Sequence, residues 1–153
     1  MLNNDTLRSI RYMLDLSDAR VVEITGLAGM ELSVDTVKSL LKKDDEEGFL
    51  ACDDATMAHF LDGLIIFRRG RDTSQPARPV EARISNNVVL KKLRVAFELK
   101  ENDLHEILQA AGFPVSKPEL NALFRQPGHS NYRKCGDQLL RNFLKGLTMR
   151  LRP

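Results

Sequence analysis

The chain predicts an all-α fold made of two tandem, homologous four-helix units with a pseudo-two-fold relation. Three observations carry that expectation. Displacing the chain by 83 positions aligns it with itself without a gap, and 17 of the 66 residue pairs in 3–68 against 86–151 are identical. Chance gives about four at ordinary residue frequencies. Within each copy the apolar residues recur at the i, i+3, i+4, i+7 spacing of a helical face. No stretch alternates as a half-buried strand does: VVEI, from Val21, is rich in β-branched residues, but its twin LHEI, from Leu104, does not alternate. A period longer than the 20–50 residues of solenoid repeats makes each copy a small domain, not one turn of an array. The expected boundaries are a first repeat over 1–69, an extended linker over 70–85 and a second repeat over 86–153.

The first helix of each copy follows an Asn–Asn pair, Asn3–Asn4 and Asn86–Asn87, read as N-caps. Its stripe is Leu7, Ile10, Leu14 in one copy and Leu90, Leu93, Phe97 in the other. The second helix starts near Ser17 with Asp18 in its first turn and stops at Gly29 or Gly112, a residue suited to the left-handed position that closes a helix. The third begins at Ser33 or Ser116. In the second copy SKPE forms a capping box, with Pro118 in the first turn and Glu119 reaching back. The fourth runs from about Asp53 to Arg68 and from about Gly136 to Leu151, with FLDGL and FLKGL at its centre. Gly63 and Gly146 sit inside it, where glycine costs about 1 kcal/mol against alanine. Both copies keep that glycine, so close approach by another helix backbone is expected there. Between the copies, GRDTSQPARPVEAR has two prolines and no helical period, the mark of an extended linker.

A unit of this size is marginal alone, so the copies are expected to pack together. The polar start by Asn3 and the lack of an apolar run near ~20 residues predict no secretion signal and no membrane span. Two cysteines are too few for a disulfide scaffold, and they fall at equivalent places, Cys52 and Cys135. Both read as reduced and the protein as cytoplasmic. The net charge of +2 conceals a split. Residues 1–70 carry 8 Lys/Arg and 13 Asp/Glu, net −5, and residues 86–153 carry 12 and 6, net +6. Such asymmetry concerns partners, not fold.

No catalytic set is visible. His59, His105 and His129 face Asn142, Val22 and Glu46 in the other copy, and no nucleophile or phosphate-loop motif occurs. Cys52 and Cys135 are each read two ways: a thiol activated by the start of the fourth helix, or a small buried apolar residue, the commoner state of a free cysteine. Zinc wants four ligands, and Cys52 with His59 supplies two. The DDEE run at Asp44–Glu47 faces PGHS in its twin and reads as a solvated loop. The repeated Arg11/Arg94, Glu23/Glu106 and Asp54/Asp137 read as intra-copy salt bridges and caps. No enzyme activity, cofactor or metal is expected.

Ala28–Gly29 followed by SVDTV from Ser33 is similar to a DNA-reading helix-turn-helix, with two extra residues in the turn. Copy two departs further at Pro118 and Glu119. Its basic and polar residues are Lys91, Lys92, Lys117, Asn121, Arg125, Arg133, Lys134, Arg141 and Lys145, enough for phosphate contacts. Copy one offers Lys38, Lys42 and Lys43 beside the acidic loop. With no Trp and two Tyr, a stacking platform for single strands is poorly supplied.

The tandem N-N-x-x-L-[RK]-x-[IL]-R and C-x-D…F-L-x-G-L pairs resemble the YehS-like family, small bacterial proteins built from a duplicated domain of unknown function. The resemblance implies a bacterial cytoplasmic protein and the same duplication, and it transfers no site. The functional expectation is a binding protein, nucleic-acid-associated through the hairpins and the basic second repeat. The alternative is a protein–protein adaptor using oppositely charged repeats, and a homo-oligomer is compatible with either.

Overall fold

The computed structural model describes residues 1–74, 76 and 79–153. Among them are eight α-helices and no strand, in two compact units, 1–84 and 85–153. The expected all-α pair of four-helix units is therefore the observed architecture. The first unit holds α1 (Asn3–Leu14), α2 (Asp18–Leu27), α3 (Val34–Leu40) and α4 (Asp54–Arg69). The second holds α5 (Asn86–Ala96), α6 (Glu101–Ala110), α7 (Lys117–Leu123) and α8 (Asp137–Leu151). Of the expected linker, residues 75, 77 and 78 lie outside the described residues.

Caps set the helix starts. Ser17, Ser33 and Asp53 accept from the backbone N–H three residues on, as do Ser85 and Ser116 in the second unit. Asn3 and Asn4 are not caps. They lie inside α1, whose cap is Leu2, with its N–H held by Asp5 at 2.9 Å. The asparagine side chains are needed elsewhere, so the acid three residues on completes the helix start.

Both first helices end with a non-glycine residue in the left-handed region, Asp15 and Glu98, each at φ 53°. The following amide reaches back five residues, Leu16 N–H to the Arg11 carbonyl and Leu99 N–H to the Arg94 carbonyl, both 2.9 Å. That is the Schellman closure. The second helices close the same way, with Gly29 and Gly112 at φ 102° and 79°.

Each unit buries one core. Leu7, Ile10, Met13, Val21, Ile24, Val37, Leu40, Met57, Phe60, Leu61 and Leu64 fill the first. Its stripe on α1 runs through Met13, while Leu14 is only half-buried. The second unit repeats the plan from Leu90 to Leu147. The fourth helix packs on the second at the repeated glycine. A Cβ built on Gly63 would meet the Ile24 carbonyl oxygen at under 3.0 Å, and one on Gly146 the Ile107 carbonyl oxygen. Ile24 and Ile107 are equivalent, so this close helix crossing is a property of the unit. The neighbour is the second helix of the same unit.

Candidate functional site

The repeated Asn–Asn and Cys–x–Asp pairs meet in space. The Asn4 amide nitrogen donates to the carbonyls of Leu40 (2.8 Å) and Leu50 (2.9 Å), and its oxygen accepts from the Cys52 N–H at 3.0 Å. Asn87 does the same to Leu123, Arg133 and Cys135, each at 2.9 Å. The Leu40 and Leu123 carbonyls belong to the last turn of a helix and have no intrahelical partner. The other two groups sit in an extended segment with no neighbouring strand. One buried side chain with two donors and an acceptor satisfies all three, a combination aspartate and leucine lack. Asn3 completes the clamp, donating to the Cys52 carbonyl at 3.1 Å and to Asp54 at 2.9 Å. Asn86 donates to the Cys135 carbonyl at 3.0 Å and to Asp137 at 2.8 Å. Asp54 and Asp137 open the fourth helices, where a carboxylate also complements the helix dipole.

Both thiols are buried in this clamp. Burial pushes Cys52 up to about 12, with Asp53 and Asp54 adding to the rise. Burial likewise pushes Cys135 up to about 11, against the opposing charge of Arg133. Neither is poised as a thiolate at neutral pH. The histidines engage local backbone where contacts are present: His59 Nδ1 lies 2.7 Å from the Ala55 carbonyl, and His129 Nδ1 accepts from the Asn131 N–H at 3.0 Å. Among the described residues no group of three or more His, Cys, Asp or Glu could hold a metal ion.

The clamp organises charge on its outer edge. Lys91 lies one turn beyond Asn87 on α5. Arg125 follows the end of α7, and Arg133 and Lys134 lie on the segment that Asn87 grips. Lys91, Arg125 and Lys134 are exposed. Arg133 pairs with Glu119, and that guanidinium, followed by the Ser116 hydroxyl, holds the Glu119 carboxyl below its ordinary range. The remaining candidates are spread out. Lys117 and Asn121 lie one turn apart on α7, Arg141 and Lys145 one turn apart on α8, all exposed, and Lys92 is half-buried on α5.

Position by position, the first unit differs. Arg8, the counterpart of Lys91, donates to the Lys42 carbonyl at 2.8 Å and pairs with Asp5. Lys42, the counterpart of Arg125, donates to the Glu47 carbonyl at 2.7 Å. The four acids of Asp44–Glu47 follow in the same loop, all exposed.

Other repeated positions show how the units hold themselves. Arg11 lies 4.0 Å from Asp18, whereas Arg94 donates to the Leu99 carbonyl at 3.2 Å and stands over the Phe124 ring at 4.7 Å. Glu23 pairs with Arg20 at 2.8 Å. Arg20 also stands over Phe67, 5.3 Å from the ring centroid. The equivalent residues, Asp103 and Arg150, form an ion pair at 2.8 Å. Both contacts tie the start of the second helix to the end of the fourth.

The hairpin of second and third helices departs from a groove-reading motif. Six residues, 28–33 and 111–116, separate the helices, against the 3–4 of that motif. The third helices are seven residues each.

The fold and its clamp define a class: a tandem duplicate of a four-helix unit in which an Asn–Asn pair grips a Cys–x–Asp segment. The chain belongs to the family described as Protein of unknown function (DUF1456), whose model matches residues 3–70 and again 86–152. It is 49% identical over 150 residues to the Uncharacterized protein YehS of Escherichia coli (strain K12), covering 98% of this chain and 96% of that relative. No solved structure matches it. No helix among the described residues is long and apolar enough to cross a membrane.

Proposed function

We infer that the protein is a nucleic-acid-associated binding protein, not an enzyme, and that its second unit makes the phosphate contacts. The observation that supports this reading most is the set of uncompensated cations on that unit. The side chains of Lys91, Lys117, Arg125, Lys134 and Lys145 are exposed and make no hydrogen bond or ion pair among the described residues. Clustered Lys and Arg neutralise phosphates and release counterions, which supplies affinity without reading sequence. The long turn and short third helix favour a surface that grips the backbone over a helix that enters a groove.

The test is fluorescence anisotropy of labelled duplex DNA, single-stranded DNA and RNA, titrated at low and moderate salt. The reading requires binding that weakens as salt rises. Absence of binding at low salt, where electrostatic attraction is strongest, overturns it.

A second reading, a protein–protein adaptor, draws on the acidic loop Asp44–Glu47 of the first unit. The equivalent Pro127–Ser130 carries no such charge, the two repeats are oppositely charged as wholes, and complementary charge fixes orientation between partners. Retention of a partner that is lost when these four acids are replaced by their amides would support it.

A further inference from the structure

We propose that the phosphate-binding site is the outer edge of the second clamp, formed by Lys91, Arg125 and Lys134, and that its ligand is duplex nucleic acid held by its backbone. This rests on the nucleic-acid reading above and assigns it a place and a ligand class.

The placement follows from hydrogen bonds. Asn87 binds the carbonyls of Leu123 and Arg133 and the N–H of Cys135. Three stretches of chain are thereby fixed around one side chain. Lys91 is the next residue along α5 on the face that Asn87 presents. Lys134 lies between the gripped Arg133 and Cys135, and Arg125 lies two residues past Leu123. The first unit shows the reach directly: there the residue at the Lys91 position donates to the carbonyl at the Arg125 position, Arg8 to Lys42.

The duplicated fold also provides an internal control. In the first unit the same positions are consumed. Arg8 pairs with Asp5, Lys42 binds the Glu47 carbonyl, and Ala51 stands where the second unit has Lys134. In the second unit Val88 replaces Asp5, and the acidic run becomes Pro127–Ser130. These differences remove acidic neighbours or add a cation in the second unit. A backbone already fixed by buried hydrogen bonds loses little further entropy when the cations engage a ligand.

The ligand class follows from what surrounds the cations. Single strands are held by stacking bases on exposed aromatic rings. In the second unit no aromatic residue is exposed: Phe97, Phe113, Phe124 and Tyr132 are half-buried and Phe143 is fully buried, and Phe124 lies under Arg94. What remains is charge without a stacking surface, which fits the regularly spaced phosphates of a duplex. Duplex DNA and duplex RNA share that chemistry.

The test compares wild-type protein with Lys91→Glu/Arg125→Glu/Lys134→Glu and with Arg141→Glu/Lys145→Glu. Each is titrated into duplex DNA, duplex RNA and single-stranded DNA over a salt series. All five side chains are exposed, and thermal melts of the variants report folding separately. Each phosphate contact adds about 0.9 to the slope of log affinity against log salt. Three contacts therefore weaken binding about 40-fold for a fourfold rise in salt.

We expect the triple variant to lose at least ~10-fold in duplex affinity at low salt and about 2.7 from the slope, and the α8 variant to keep most of both. The two duplex arms show which helix is preferred. A triple variant that binds as wild type overturns this site and leaves the nucleic-acid reading standing. Single strands bound as tightly as duplex overturn the ligand class. A wild-type protein that binds none of the three overturns both.

Discussion

The segments that follow α3 and α7 hang from the same asparagine and carry opposite charge. In the first unit Asn4 grips a loop with Asp44–Glu47 at its tip, and the nearby cations Arg8 and Lys42 are tied down inside it. In the second, Asn87 grips a segment bearing Arg133 and Lys134, next to Lys91 and Arg125. Inside the clamp the two copies keep the same Asn, Asn, Cys and Asp. Along the two segments themselves, 41–53 and 124–136, only that cysteine is identical. Duplication thus separates the residues that hold the unit together from those free to acquire a partner. Many of the residues kept in both copies hold the fold. The residues that differ are where function is to be sought.

The sharpest way to break this comparison is to remove the grip. Asn4→Ala leaves three backbone groups of the clamp without their partner, each worth about 1–3 kcal/mol. We expect the first unit to lose on the order of 4 kcal/mol in urea unfolding. Asn87→Ala should cost the second unit somewhat less, since Asn87 is 8% exposed against 1% for Asn4. Asn4→Leu should lose as much as Asn4→Ala, because hydrogen bonds and not volume are what the residue supplies. A Leu variant as stable as wild type would show the clamp to be mere packing.

Next in size is the helix crossing. Gly63→Ala and Gly146→Ala each force a methyl into the backbone of the second helix. Overpacking of this kind costs on the order of 3 kcal/mol, measured in the same unfolding experiment. An unchanged midpoint would mean that the fourth helix is free to move away.

The thiols sharpen the comparison through pH. Their folded values, about 12 for Cys52 and about 11 for Cys135, lie above the ordinary 9.0. The unfolded chain therefore sheds these protons first. The stability linked to them is full below pH 9.0 and is lost as pH rises through 11 and 12. Wild type should lose stability relative to a Cys52→Ala/Cys135→Ala variant over that window and not below it. At neutral pH both thiols should resist labelling until the protein unfolds. Rapid native labelling of either would contradict their burial.

The smallest effect is at the swapped contact. Phe67→Arg alone sets two arginines face to face in the first unit. Adding Arg20→Asp reproduces the ion pair of Asp103 and Arg150. The double variant should recover within about 1 kcal/mol of wild type, the range of exposed pairs, and should be more stable than Phe67→Arg alone.

Much of the fold was legible in the sequence. Helix number, helix type and most starts followed from the 83-residue repeat, the apolar stripes and the serine caps, because these are local signals. The need for close approach at Gly63 and Gly146 was legible too, since two copies had kept a costly residue. The clamp was not. Asn3, Asn4, Asn86 and Asn87 look like caps because asparagine before an apolar stripe usually is one, and their true partners lie 36–51 residues away. A signal was present nonetheless. A cap tolerates Ser, Thr or Asp, so asparagine retained at both positions in both copies pointed to a role that needs donor and acceptor together. The basic candidates were visible as a list of residues. The grouping of Lys91, Arg125 and Lys134 proposed above rests on the clamp's hydrogen bonds, which tie residues distant in the chain to Asn87.

The most direct measurement sets one unit against the other. Duplex binding at low salt would be compared between Lys91→Glu/Arg125→Glu/Lys134→Glu and Lys38→Glu/Lys43→Glu, which reverses exposed cations of the first unit. Reversal in the second unit should abolish most of the salt-dependent affinity, and reversal in the first should leave it nearly intact. Equal losses from both, or a larger loss from the first unit, would contradict the claim that the duplicated clamp has given its two copies different work.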